Sequence, residues 1–378
     1  MVTILFLTST LLLVVAHSLV AHSHSHSHYT TPSTVPYLQG IFLSLYSIDT
    51  QYTPSQWEKE FKAMSSVGIK FVALRAALQG TSNDTLSGQC ILGLYKAYYS
   101  TTLTPSVCYQ NDMTSQTTFV NILSAAQKYN ISVHITPVMP HTPFSWPISP
   151  KVKHYTNLAK LQTDVFMNVW KMYPSYHDTI VGVYTSIEEW NGINWMDDAN
   201  AIPLATNYFE PLSENVRHLT GVNSLQVWAS PYYVGNLTLH PTAQNASSYA
   251  NFWKRIWKLA PSFDWIALQD SMGWQGNNFD EVKEVLIELK KAGQDSNRTV
   301  WSNVELFEGS PLPCIYPKKC GRQPASIERI VAQLKNEDPY VVGHIAWEWM
   351  SCLSPYTNAK TLKLYNDYEK YISTIKHL

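Results

Sequence analysis

Eight times along this chain a short apolar run rich in β-branched residues gives way to a loop and then to a stretch with apolar residues at helical spacing. The apolar runs are 38–46, 70–75, 132–137, 180–187, 225–230, 265–269, 300–305 and 341–347. The helical-period segments are 55–67, 116–129, 156–172, 204–219, 246–259, 280–291, 326–336 and 358–375. Trp57, Phe61 and Met64 share one face of the first; Val282, Val285, Leu286 and Leu289 share one face of the sixth. Strands that alternate with helices imply a parallel sheet with helical crossovers. Closed on itself, such a sheet is an α/β fold of the (β/α)8 TIM-barrel type, here a single domain over residues 38–378. An open, doubly wound sheet is the alternative. No G-x-G-x-x-G follows the first run, so the usual sign of a dinucleotide site is missing.

A barrel brings the C-terminal ends of its strands to one face, and its chemistry is kept there. Glu188 closes the fourth run and Glu305 the seventh. Arg75 ends the second, Gln269 and Asp270 the sixth, and Trp347-Glu348-Trp349 the eighth, while Tyr232 and Tyr233 follow the fifth. Cleaving a glycosidic bond requires a carboxylic acid to protonate a poor leaving group. It also requires a second carboxylate on the opposite face of the sugar, about 5–5.5 Å from the first in the retaining geometry. Glu188 as acid/base and Glu305 as nucleophile fit that demand. Arg75 is expected to favour the ionised nucleophile, Asp270 to hold a sugar hydroxyl, and Trp347, Trp349 and Tyr232 to offer flat surfaces to the sugar. Trp190, Trp195 and Trp274 are further rim candidates, and Glu308 and Glu348 are reserve carboxylates. His134, inside the third run, reads as an interior residue. The bland alternative for each glutamate is a salt-bridged strand end, and for the whole chain a carbohydrate-binding barrel without catalysis.

Composition narrows the classes. The 378 residues are 15% charged with a net charge of -1, against roughly 25% charged in an average domain. A nucleic-acid binder would show a basic face, so the expected partner is an oligo- or polysaccharide. The apolar start, with small residues at Ala16 and Ala21, reads as a secretory signal peptide over 1–21. It has no Lys or Arg ahead of its apolar core, which keeps an uncleaved anchor open. No later segment has about 18 uninterrupted apolar residues, so no membrane association is expected after cleavage. Residues 22–37 form a leader of alternating His and Ser followed by Ser, Thr and Pro, a composition that cannot bury a core. A flexible leader and a Cu(II) or Ni(II) tether at a terminus beginning His22-Ser-His are its two readings.

Secretion agrees with five N-x-[ST] sequons, at Asn83, Asn130, Asn236, Asn245 and Asn297, each in or beside an expected loop. Five cysteines are present. Cys90 with Cys108 and Cys314 with Cys320 are expected as local disulfides, leaving Cys352 over; a pairing that includes Cys352 is the alternative. Their spacing is unlike a zinc site, and neither a metal nor an organic cofactor is expected.

Strand-end carboxylates on the fourth and seventh strands resemble the arrangement in clan A glycoside hydrolases. Four segments are more closely similar to an uncharacterised family of glycoside-hydrolase-like barrels filed as a domain of unknown function: Gly182-Val-Tyr-Thr-Ser-Ile-Glu188, Ile266-Ala-Leu-Gln-Asp270 with Ser-Met-Gly273, Val300-Trp-Ser-Asn-Val-Glu-Leu-Phe-Glu308, and Trp349-Met-Ser-Cys-Leu-Ser-Pro355. The resemblance implies a retaining (β/α)8 hydrolase and, by the interval from Gly-x-Tyr, selects Glu188 rather than Glu189 as the acid/base. Clan A usually places Asn directly before that residue. Ile187 stands there in this chain, so the asparagine's hold on the sugar 2-hydroxyl would fall to Asn303 or Asp270.

Overall fold

The computed structural model describes residues 35–44, 52–75, 112–137, 152–185, 187–238, 240–310 and 321–375. Ten strands are present among them. Eight close into a parallel barrel: β1 (Leu38–Ser44), β2 (Phe71–Arg75), β3 (Ser132–Ile135), β4 (Ile180–Tyr184), β5 (Gln226–Ala229), β6 (Trp265–Gln269), β7 (Thr299–Glu305) and β10 (His344–Trp347), with β1 pairing both β2 and β10. The other two, β8 (Phe307–Ser310) and β9 (Gly321–Pro324), form an antiparallel pair directly after β7 that the periodicity of the sequence did not announce. Around the barrel lie α1 (Pro54–Ser66), α2 (Asp112–Lys128), α3 (Val152–Met172), α4 (Glu210–Thr220), α5 (Ala246–Leu259), α6 (Phe279–Ser296), α7 (Ile327–Glu337) and α8 (Ala359–Ile375). The open-sheet alternative is thereby excluded.

Local chemistry sets the helix starts. Thr53 and Gln56 form a reciprocal capping box ahead of α1, with Pro54 at its first position, and Asn278 and Glu281 do the same for α6. Asn245 caps α5 by accepting from Ser248 N at 2.9 Å. The fourth helical segment, expected as one helix over 204–219, begins earlier, at Asp198, and passes through a π-turn at Ala205–Phe209 before α4. Pro203 and Pro211 lie on either side of that turn, and each withholds a backbone N–H from the helical ladder.

The barrel interior is aromatic. Phe42, Tyr184, Trp228, Trp265 and Trp301 are buried there with Ala73, Ala267 and Ile345, and Trp228 stacks on Trp265 at 4.2 Å. The alternation of strands then fixes which side chains reach the upper mouth: Ser44, Arg75, Gln269, Asn303, Glu305 and Trp347 share the parity of that inner set. Register brings their strand ends level, with Ser44 beside Arg75, Gln269 beside Asn303, and Glu305 beside Trp347. The opposite parity packs against the helices in one large apolar layer. His134 lies inside the barrel among Phe71, Trp228 and Trp265, and burial lowers its pKa to about 3, so it is neutral. No helix of the described residues is long and apolar enough to cross a membrane.

Candidate active site

Sequence reading put Glu188 at the end of a strand, but β4 stops at Tyr184. Thr185 N still bonds Trp228 O at 2.8 Å, after which the chain leaves the sheet. Glu188 and Glu189 part company here. Glu188 is 29% exposed and lies 3.9 Å from Arg75 Nη2, so its carboxylate opens toward the barrel mouth. Glu189 is fully buried on the helix side, and neither of its oxygens has a hydrogen-bond partner among the described residues. Burial, followed by the charge of Glu188, drives the Glu189 pKa well above the usual range. Three tyrosine hydroxyls surround it, but their protons go elsewhere: Tyr155 donates to Asn200, Tyr208 to Gln162, and Tyr249 to the Tyr232 carbonyl.

Arg75 is the first correction. It was expected beside Glu305, yet its carboxylate partner is Glu188, and its guanidinium lies flat over Trp347 at 4.4 Å. Trp347 also meets Phe42 at 5.0 Å, so one indole closes the aromatic barrel below and carries a cation above. The peptide after Trp347 is cis.

Glu305 sits at the end of β7 with only 5% of its surface exposed. Its Oε2 accepts from Gly273 N at 2.7 Å. Burial and then the Asp270 charge push its pKa up to about 8, against the Gly273 hydrogen bond and the guanidiniums of Arg322 and Arg329. Gly273 has to be glycine: a Cβ there would stand 2.1 Å from Phe307 O and 3.1 Å from Glu305 Oε2. Asn303, one inward position below Glu305, donates to Ser230 Oγ at 2.8 Å, and its Oδ1 has no partner among the described residues.

Asp270, Trp349 and Tyr232 are the other corrections. Asp270 has the helix-facing parity of β6 and is buried. Its oxygens accept from Met272 N, Glu305 N and the Gln333 side-chain amide, which leaves it no free face for a sugar hydroxyl. Trp349 is fully buried between α1 and α8, donating Nε1 to Glu60 at 2.6 Å and meeting Tyr365 edge-on. It is two residues beyond Trp347, but the chain turns into a π-helical segment at Trp349, which carries the indole away from the mouth. Tyr232 is buried in the helix-side apolar layer, where it stacks parallel to Trp190 at 6.1 Å and feels the charge of Glu188. Trp195 is buried, whereas Trp274 is half-buried with the exposed Arg322 of β9 over its ring at 4.3 Å. Of the reserve carboxylates, Glu308 pairs with Arg329 at 3.7 Å, and Glu348 is buried and accepts from Ser351.

Arg322, Arg329, Gly273 and Gln333 were not anticipated. Gly273 could have been, because it ends a short motif after a strand; the guanidiniums of Arg322 and Arg329 gain meaning only from the folded β8–β9 pair. Among the described residues no group of three or more His, Cys, Asp or Glu could hold a metal ion. Cys352 is a buried free thiol. Cys90, Cys108, Cys314, Cys320 and Asn83 lie outside the described residues, as do 1–21 and the His-Ser leader. Asn130, Asn245 and Asn297 are exposed, and Asn236 half-buried.

A closed barrel of eight parallel strands ringed by helices defines the class of (β/α)8 TIM-barrel proteins. Within it, the chain belongs to the DUF4434 family, a domain of unknown function, whose model matches residues 38–359. Its structural neighbours are glycoside hydrolases. A "putative alpha-L-fucosidase" from Bacteroides thetaiotaomicron superposes with a TM-score of 0.66 at 19% identity, covering 91% of this chain and 95% of its own. The endo-1,4-beta-D-mannanase of Thermotoga petrophila gives 0.53 at 12% identity over 89% and 99%. The endo-1,4-beta-mannanase of Rhizomucor miehei gives 0.52 at 11% over 91% and 97%. At such identities the likeness establishes the fold. No curated protein matches the chain in sequence.

Proposed function

We propose that this protein is a glycoside hydrolase that cleaves O-glycosidic bonds with retention, using Glu188 as acid/base and Glu305 as nucleophile. The observation that carries the reading is the selective presentation of these two carboxylates. Glu188 is turned to the mouth beside Arg75 while its neighbour Glu189 is buried, and Glu305 is held by Gly273 at the end of β7, with β5 and β6 between it and β4. One carboxyl that gives a proton and a second that is ionised are what the reaction requires. The half-buried Trp347 edges the mouth under Arg75, and Asn303 Oδ1, without a partner among the described residues, is an acceptor for a hydroxyl. The structural neighbours named as mannanases and a fucosidase make a carbohydrate the favoured substrate class.

One observation favours a second assignment of the same pair. Burial and Asp270 place a proton on Glu305 at neutral pH, while Arg75 faces Glu188. In that reading Glu305 is the acid and Glu188 the base or nucleophile. Glu188→Gln and Glu305→Gln, assayed on aryl glycosides, separate the two. A good leaving group needs no protonation, so the acid variant keeps activity on the activated substrate and the nucleophile variant loses it on every substrate. Glu305→Gln is expected to be the dead variant, with ligand binding kept and melting temperature no lower than wild type. Loss of folding in that variant would mark a structural carboxylate. Full activity of both variants would move the chemistry to other residues, and a wild-type protein that binds glycans but cleaves none would leave the carbohydrate-binding barrel as the better reading.

Secretion behind a signal peptide over 1–21, N-glycans at the five sequons, and the disulfides Cys90–Cys108 and Cys314–Cys320 complete the proposal. Intact mass of protein collected from medium, before and after deglycosylation and reduction, tests all three.

A further inference from the structure

The face of α7 that meets the barrel is polar where an apolar stripe would be usual. Arg329, Gln333 and Glu337 follow at i, i+4 and i+8, and Gln333 and Glu337 are completely buried. Arg329 and, through Asp270, Gln333 converge on the peptide of Glu305, while Glu337 acts on Asp270. Arg329 Nη2 donates to the carbonyls of Glu305 at 2.8 Å and Phe307 at 2.7 Å. Gln333 donates to Asp270 Oδ2, and Asp270 in turn accepts from Glu305 N at 3.3 and 3.4 Å. The N–H and C=O of one residue are thus both held from behind the barrel.

The same Asp270 builds the turn that reaches the Glu305 carboxylate from the front. Asp270 Oδ1 accepts from Met272 N at 3.1 Å, Ser271 takes a positive φ of 55°, and Asn277 Nδ2 bonds Asp270 O at 3.0 Å. That turn presents Gly273 N to Glu305 Oε2. Beside Asp270, Glu337 is buried, and burial with the Asp270 charge drives its pKa well up, while burial also raises that of Asp270 against the Met272 N–H and Arg329.

We propose that Asp270, oriented by the Arg329–Gln333–Glu337 stripe of α7, is the positioning residue for Glu305: it fixes the Glu305 peptide and the Gly273 donor together and stands as a like charge beside the carboxylate. This rests on Glu305 being a catalytic carboxylate, in either role. The charged groups acting on Glu305 are Asp270 from β6, Arg322 from β9 and Arg329 from α7; those on Asp270 are Arg329 and the carboxyl of Glu337. Removing the nearest like charge lowers a carboxyl's pKa.

The test is the Glu305 carboxyl resonance in glutamate-labelled protein, recognised as the signal missing from Glu305→Gln and titrated by NMR, which needs no substrate. In Asp270→Asn its midpoint is expected to fall by about one unit or more. On a hydrolysed glycoside, kcat should fall on the order of 10²-fold with KM little changed, because a misplaced group costs that much. Gln333→Met removes the donor that favours ionised Asp270 and should move Glu305 the same way by less, which carries the test if Asp270→Asn does not fold. A Glu305 midpoint unmoved in the folded variant overturns the proposal. So does a kcat loss that only tracks the folded fraction. A wild-type protein that hydrolyses nothing overturns the glycosidase reading alone, because the titration still decides the coupling.

Discussion

Replacing Glu189 by Gln should stabilise this protein, and by an amount that depends on pH. The Glu189 carboxyl is fully buried, both oxygens lack partners among the other described residues, and the three nearby tyrosines donate their protons to other acceptors. A carboxylate in that setting has only its own backbone N–H to offset its desolvation, which is not enough, so the fold holds it neutral. In the unfolded chain a Glu ionises near 4.3. Keeping the proton at pH 7 then costs about 3–4 kcal/mol, at roughly 1.4 kcal/mol per unit. The sign follows from the raised folded pKa: the native state binds the extra proton, so stability is present in full below about pH 4 and declines as pH rises through the neutral range. Gln has the same shape and needs no proton, although its amide must use the tyrosine oxygens as acceptors, which offsets about 1–2 kcal/mol. Urea titrations of wild type and Glu189→Gln at pH 8 and pH 5 should show a higher midpoint for the variant at pH 8, narrowing to no gain at pH 5, with unchanged slopes. A variant that is less stable by the same amount at both pH values would show Glu189 to be charged and paired, and would undo the reason given for setting it aside in favour of Glu188.

Four further outcomes test other parts of the structure. For Glu305 as nucleophile, kcat/KM should fall as pH drops below about 8, since the free protein's carboxyl must lose its proton; a limb near 4 would mean that its surroundings do not hold the proton. Trp349→Phe should lower stability by about 1–3 kcal/mol by stripping Glu60 of its indole donor, while kcat stays put; a change in KM would return Trp349 to the sugar site. Trp347→Ala should raise KM several-fold by freeing Arg75 and opening the mouth, with chemical denaturation reporting a loss of about 3–5 kcal/mol. Gly273→Ala should abolish turnover in folded protein, because the new methyl collides with Phe307 O, and circular dichroism would show the barrel intact.

The barrel was readable because each strand and helix repeats one simple rule, apolar run then helical face, and the rule survives local errors of a few residues. Where it misled, short-range geometry was decisive. Asp270 and Trp349 were both assigned to the mouth by their distance from a strand end. A parity of one residue sends Asp270 to the helices, and a π-helical segment that begins at Trp349 does the same to the indole. Arg75, at the end of β2, was paired with the wrong glutamate, because nothing in a sequence tells whether its side chain meets the carboxylate after β4 or the one at the end of β7. Glu188 could be chosen over Glu189 only from the interval after Gly-x-Tyr, and burial now gives that choice a physical basis. The β8–β9 pair escaped because its strands are four residues each and one contains Gly and Pro, weak strand formers.

The way the barrel closes has a consequence for how the chain can be made. β1 is sealed on one edge by β10, and Tyr368 and Tyr371 of α8 fasten its entry through Leu38 N and the Pro36 carbonyl, the first of these across 330 residues of sequence. A chain emerging N-terminus first therefore shows an unpaired edge of β1, with β2 alone beside it, until nearly the whole barrel has been synthesised. Exposed strand edges invite pairing with other chains. The interval between the birth of the first strand and the arrival of its last partner is when this protein most needs protection.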